Sequence, residues 1–232
     1  MVKKAVCLIS GGLDSYVAAS IAKVEGYSIY ALSFFYGQKH KKEIESAKKI
    51  AYELNSIEHV VFNIDINKLG GSSLVDESLI IHNNKKLEDI GKSIPSTYVP
   101  ARNTIFLSIA LAFSEIINAN AIYIGVNATD YSGYPDCRPE YIKAYQKMVN
   151  LATKKSVEGG YIDIRAPLLN LSKAEIIKKG YELNISFEKT WSCYHGKMKP
   201  CGKCESCLLR LKGFKDAKVK DPLKYEILPD WY

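Results

Sequence analysis

Ala5 to Ile9 make an apolar run of strand length that leads without a break into Ser10-Gly11-Gly12-Leu13-Asp14-Ser15, and a helical pattern follows over Ser15 to Glu25. A strand feeding a helix through paired glycines is an anion cradle. The glycines let the backbone approach an oxyanion, and Ser10 and Ser15 offer hydroxyl donors. The helix start turns free N–H groups and its positive end toward the same spot. Asp14 would repel bare phosphate, so its expected part is to hold Mg²⁺ or to orient the loop. A plain strand-to-helix turn is the bland alternative, and the strand–loop–helix context argues against it. The other common phosphate loop is absent: Gly91-Lys92-Ser93 resembles its end, but Lys86 stands where its first glycine belongs.

The same strand–helix rhythm continues along the chain. Ile29 to Phe35, His59 to Ile64, Ala121 to Val126 and Ile162 to Ala166 are further apolar runs, most of them suited to strands buried on both faces. Helical patterns cover Lys41 to Leu54, Asn103 to Asn118 and Glu140 to Lys154, and another helix begins at Ser172, where Ser172 and Glu175 can form a capping box. This alternation predicts an α/β fold, an open parallel sheet with helices on both faces. Residues 70–92 break the rhythm and are expected to run over the carboxyl edge of the sheet. At Thr190 the composition shifts to Cys, Gly, Lys and Pro, which places a domain over residues 1–189 and a small metal-binding tail over 190–232 packed on it.

Composition narrows the class. With 232 residues, 47% hydrophobic and 25% charged, the chain has ordinary globular usage and room for one main core. The longest apolar stretch, Ile105 to Ile117, is interrupted by Ser108, Ser114 and Glu115 and is shorter than the ~18 residues that suggest a membrane span. Lys3 and Lys4 precede too short an apolar run for a signal peptide, so a cytoplasmic location with reduced or metal-bound cysteines is expected. The net charge of +7 would suit a polyanion. Much of it sits near Lys39 to Lys49, where Glu45 and Lys49 one turn apart look like a solvated helix face, so no stable nucleic-acid complex is expected.

The tail holds Cys193, Cys201, Cys204 and Cys207. Four thiolates at short spacing satisfy tetrahedral Zn²⁺ and leave no open position, the pattern of a structural site, one ion per chain. An iron–sulfur cluster is the second metal reading. His195, two residues beyond Cys193, is a surface or pocket histidine on the simpler view. Cys7 belongs to the first strand, and Cys137 has Arg138 beside it, a cation that could favour its thiolate. Three more clusters fall where an open α/β sheet gathers ligands: Tyr36-Gly37-Gln38, Tyr98 to Asn103, and Asn127 through Asp130 to Tyr134, Asp136 and Arg138. Together they supply the planar donors, acceptors and aromatic faces that a flat heterocycle needs.

The Ser-Gly-Gly-Leu-Asp-Ser loop resembles the signature of the N-type ATP pyrophosphatases, or PP-loop enzymes, which cleave ATP between the α and β phosphates and share an adenine nucleotide α-hydrolase-like fold. Phe35-Tyr36-Gly37-Gln38, Thr97 to Asn103, Tyr134-Pro135-Asp136-Cys137-Arg138 and Thr190-Trp191-Ser192-Cys193-Tyr194 together resemble the 7-cyano-7-deazaguanine synthases, over about Lys4 to Phe214. The resemblance implies ATP with Mg²⁺ bound at Ser10 to Ser15, with Ser10, Asp14 and Ser15 serving catalysis. It also implies 7-carboxy-7-deazaguanine and ammonia as substrates, and a homodimer. By analogy with how deazaguanines are held, Gln38, Arg102, Asp130, Tyr134, Asp136 and Arg138 are the candidate substrate contacts, with Arg102 and Arg138 competing for the carboxylate. Two other readings stay open: a different PP-loop enzyme, such as a tRNA thiolase or an amide synthetase, and a noncatalytic zinc-ribbon module that binds nucleic acid.

Overall fold

The structure, a computed structural model, describes residues 2–76, 78–83, 87–90, 92–127 and 134–232. Among them, β1 (Lys4–Leu8), β2 (Ser28–Phe35), β3 (Glu58–Asn63), β4 (Ala121–Tyr123) and β5 (Asp163–Arg165) form one sheet in the order β3-β2-β1-β4-β5. Every pairing is parallel. The crossovers carry α1 (Leu13–Val24), α2 (Lys42–Glu53), α3 (Arg102–Ile116), α4 (Pro139–Ala152) and the short α5 (Lys154–Val157), and α6 (Lys173–Glu182) and α7 (Glu205–Asp216) follow β5.

The period-two alternation of β1 shows why both faces need helices. Ala5 and Cys7 join a core under α1, α2, α6 and α7, whereas Val6 and Leu8 join a second core under α3 and α4. Each fully buried Leu, Ile or Phe in these layers, such as Leu107, Ile122 or Phe214, contributes roughly 1.5–3 kcal/mol of burial free energy. The parallel sheet with helices on both faces is therefore as the sequence pattern predicts.

Three details differ from expectation. β3 lies at the edge of the sheet, so its residues are half-buried or exposed instead of buried on both faces. β4 ends at Tyr123; the Ile124 N–H still donates to Arg165 O of β5 at 2.9 Å, and Ile124, Gly125 and Val126 line a cavity at the carboxyl edge of the sheet. The tail contains α7, which the cysteine-rich composition concealed. Phe214 in α7 and Ala217 just beyond it reach into the first core, so this helix is welded to the main body.

The helix predicted at Ser172 begins there with the full capping box: Ser172 Oγ accepts from the Glu175 N–H at 3.3 Å, and Glu175 Oε2 accepts from the Ser172 N–H at 2.7 Å. The described part of residues 70–92 does reach the carboxyl edge. Leu74 lines the cavity and Val75 enters the second core. Farther along, Asn83 forms an antiparallel bridge with Cys204, and Asn83 Oδ1 lies 2.9 Å from His195 Nε2, so the excursion touches the cysteine cluster at Asn83. Among the described residues no helix is long and apolar enough to cross a membrane.

Candidate active site

The chain leaves β1 toward α1 on one face of the sheet, while the segment after β4 leads to α4 on the other face. The two neighbouring strands thus diverge at their carboxyl ends, which opens a crevice where open α/β sheets hold ligands. A cavity of about 310 Å³ occupies it. Its floor is the Ser10–Ser15 loop. The Ser10 N–H donates to Ser15 Oγ at 3.2 Å, Ser15 Oγ donates to Gly12 O at 2.9 Å, and the two hydroxyl oxygens lie 3.1 Å apart. No side chain caps the first turn of α1, so its positive end serves the loop. Gly11 has φ +88°, and a Cβ there would come within 2.2 Å of Glu43 O, so both its conformation and the packing of α2 exclude a side chain.

Two residues that face this floor were not legible as site residues in the sequence. Lys173, at the start of α6, places Nζ 2.6 Å from Asp14 Oδ2 and 2.8 Å from Oδ1. Glu43, in the first turn of α2, lines the same cavity; burial pushes its carboxyl up to about 7, against the opposing pull of Arg102. Its place in a lysine-rich stretch made it look like part of a solvated face. The capping box ahead of Lys173 marked a helix start and carried no sign of where that start would point.

The candidate substrate contacts separate in space. Arg102 and Tyr134 line the cavity, and the Arg102 guanidinium carbon sits 6.0 Å from the centre of the Tyr36 ring. Phe34 and Phe106 stack at 3.9 Å and make an aromatic wall beside Tyr36. Gln38 is buried, but both ends of its amide are taken by backbone at the end of β2 and just beyond it: Oε1 accepts from the Tyr36 N–H at 2.7 Å and Nε2 donates to Phe34 O at 3.3 Å. Asp136 is buried and accepts from the Asn103 N–H at 3.0 Å, capping α3. Arg138 is exposed at the start of α4 and is not among the residues that line the cavity. Asp130 lies outside the described residues. Cys137 lines the cavity as a thiol: burial and then Asp136 push it up to about 12, against Arg102 and a hydrogen bond from Asn103 Nδ2 at 3.3 Å. The cation beside it is Arg102, not the adjacent Arg138.

The tail forms another wall through Trp191, Ser192 and Tyr194 and through Ser206 and Arg210. It is tied to the cradle by the Trp191 N–H, which donates to Gly11 O at 2.9 Å. The sulfur atoms of Cys193, Cys201, Cys204 and Cys207 lie within 4.8 Å of one another, all buried. Backbone N–H groups of Lys203 and Cys204 approach Cys201 Sγ at 3.4 and 3.3 Å, and that of Cys201 approaches Cys193 Sγ at 3.4 Å. Donors aimed at sulfur suit thiolates, so these residues fit a bound metal ion.

A family model described as "Queuosine biosynthesis protein QueC" matches residues 4–218. A 7-cyano-7-deazaguanine synthase from Coxiella burnetii is 56% identical over 227 residues, covering 96% of this chain and 98% of that protein. Those from Saccharophagus degradans and Citrifermentans bemidjiense are 51% and 52% identical, over 96% and 98% of this chain and 98% and 100% of theirs. Among solved structures, an NMN synthetase from Francisella tularensis matches with a TM-score of 0.46 at 20% identity, over 80% of this chain and 63% of that one. The family match spans all but the first few residues and the C-terminal end, and the relatives align over nearly their whole length, so the chain belongs to the queuosine biosynthesis protein QueC family.

Proposed function

We propose that the chain acts as a 7-cyano-7-deazaguanine synthase, converting 7-carboxy-7-deazaguanine and ammonia to the nitrile and releasing AMP and pyrophosphate from ATP. The observation that carries this reading is the Ser10–Ser15 cradle opening onto a cavity that also holds Arg102 and the Phe34–Phe106 wall, in a chain of this family. Arg102 is the cavity's fork for the substrate carboxylate, and the aromatic wall suits the flat ring. A carboxylate oxygen attacks the α phosphate while Ser10, Ser15 and the α1 N-terminus hold the departing pyrophosphate, which is catalysis by positioning and electrostatics. Asp14 is the ligand that would hold Mg²⁺, which supplies charge neutralisation on the phosphates when bound. Ammonia then displaces AMP to give an amide. Adenylation of the amide oxygen and a second loss of AMP leave the nitrile.

Cys193, Cys201, Cys204 and Cys207 would hold one structural Zn²⁺, organising residues 190–232 as a tail packed on the domain of residues 1–189. We further propose a homodimer, as the family resemblance suggests, working in the cytoplasm with no stable nucleic-acid complex; the small substrates and the cavity's size favour the last point.

The test is to incubate the protein with ATP, Mg²⁺, ammonia and the carboxy-deazaguanine and follow products by mass. Two AMP and two pyrophosphate should accompany each nitrile, and the amide should be competent as an intermediate. Release of ADP and phosphate, or a product that contains sulfur or stops at amide, would overturn the reading.

A further inference from the structure

The carboxylates around the cavity are not equivalent. Asp14 is paired with Lys173, and Asp136 is bonded to the α3 N-terminus. Glu43 lines the cavity without a hydrogen bond or close ion pair among the described residues. Its position is fixed from behind, because its backbone carbonyl packs against Gly11 of the cradle. A half-buried carboxylate with open oxygens, held on a rigid helix beside the phosphate site, is built to meet something that brings N–H or positive charge.

We propose that Glu43 is the catalytic proton acceptor for the incoming nitrogen, taking a proton from ammonium as it attacks the adenylated carboxylate. This inference rests on the adenylation chemistry proposed above. Ammonium is the dominant form at neutral pH and has no lone pair, so it must first be deprotonated. One proton passes from ammonium to a Glu43 oxygen, leaving ammonia. The nitrogen lone pair forms the C–N bond, the C–O bond to AMP breaks, and AMP departs with that electron pair on its phosphate oxygen. A second proton leaves the nitrogen to solvent, giving the neutral amide, and Glu43 returns its own proton to solvent before the next cycle.

Two features favour proton transfer over simple recognition of the ring. Glu43 packs at the cradle, where the acyl phosphate forms, whereas the aromatic wall for the ring is built from Phe34, Tyr36 and Phe106. A carboxyl that titrates near neutrality also exchanges protons at working pH, while a permanent anchor works best fully charged. The groups around it are Arg102 from the start of α3, Tyr36 from beyond β2, the Asp14–Lys173 pair of α1 and α6, and Tyr134. Arg102 draws Glu43 toward its charged form, and burial opposes it.

The experiment separates the steps. Carboxylate-dependent exchange of labelled pyrophosphate into ATP, without ammonia, reads adenylation alone; quenched-flow with ammonium reads amide formation. At fixed total ammonium, wild-type amide formation should rise as pH passes up through about 7, where Glu43 deprotonates, and level off above it. Glu43→Gln should lose that levelling, its residual rate following the free-ammonia fraction upward, and slow amide formation at pH ~7 by ~10²- to 10⁴-fold, while exchange falls far less. Glu43→Asp should restore part of the rate and keep a pH-dependent limb, and near-native melts would confirm folding. Equal losses of exchange and amide formation in Glu43→Gln would show a substrate-holding role and overturn the inference, as would wild-type amide formation. No exchange in the wild type would overturn the adenylation reading itself, and the inference with it.

Discussion

Lys173 Nζ lies 2.6 Å from Asp14 Oδ2, a contact that joins the starts of α6 and α1 across 159 positions of chain. Both partners are largely shielded from solvent, at 18% and 28% side-chain exposure, and both line the cavity. The lysine offsets the charge of Asp14, and on the proposed function it would reach the phosphate oxygens of ATP bound in the cradle. Lys173→Met should therefore slow AMP and pyrophosphate release by ~10²- to 10³-fold, the usual cost of losing one transition-state donor. Wild-type steady-state rates in this variant would remove Lys173 from the site.

Gly213 of α7 gives Lys173 its room. A Cβ there would come 2.2 Å from Lys173 Cγ and 3.0 Å from Ile177 Cδ1. In an exposed helix Gly→Ala gains up to ~1 kcal/mol of helix propensity. Here Gly213→Ala should reduce turnover, because Lys173 has to swing from Asp14, and should fail to raise the melting temperature. A stabilised, fully active variant would contradict this packing.

Arg210 is buried in a network of its own. Its Nε and Nη2 donate to Asp221 at 2.7 and 3.0 Å, Nη1 donates to Thr190 Oγ1 at 2.6 Å, and Tyr225 donates to the same Asp221 at 2.7 Å. Arg210 thus locks α7 both to Asp221 beyond it and, through Thr190, to the segment that enters the tail. Removing one partner of a buried pair strands the other charge, so Asp221→Asn should cost about 3–5 kcal/mol in a denaturant titration. A loss below about 1 kcal/mol, the range of exposed pairs, would show that Arg210 finds water.

Cys204→Ser should lower zinc content, melting temperature and solubility together. Structural zinc in finger-like peptides is worth ~10–16 kcal/mol, so loss of one thiolate should unravel the cluster. Cys204 also bridges to Asn83, and the Trp191 N–H holds Gly11 O, so the damage should reach the cradle and activity should fall as a consequence. Metal analysis beside melting curves checks this; a zinc-free variant that melts like wild type yet is inactive would make the metal catalytic.

Glu43 also leaves a signature in stability against pH. Burial raises its carboxyl from 4.5 to about 7, so between those values the folded protein keeps a proton that the unfolded chain has released. Stability is therefore lost as pH rises through this window, and the penalty is complete above it. Glu43→Gln carries no such penalty. Its melting temperature relative to wild type should be higher near pH ~8 than near pH ~4, and a pH-independent difference would show that Glu43 is solvated.

Local order carried far in this chain. The strand–loop–helix at Ser10 to Ser15, the apolar run of β1, the capping box at Ser172 and the four-cysteine spacing each depend on near neighbours, and each stands in the structure as the sequence implied. Choices that depend on distant neighbours were decided by the tertiary structure. Arg102 and Arg138 look alike along the chain, but α3 begins at the cavity and α4 begins at the surface, so one guanidinium lines the pocket and the other is exposed. Asp136 reads as a ligand contact until the α3 N-terminus is brought against it, and α7 was hidden because Phe214 and Ala217 find their core on elements far upstream. Glu43 and Lys173 carry no local mark at all. What distinguishes them is the cradle they meet from α2 and α6, because desolvation and charge pairing are set by whatever the fold packs around a side chain, and sequence spacing records only the neighbours within a few turns.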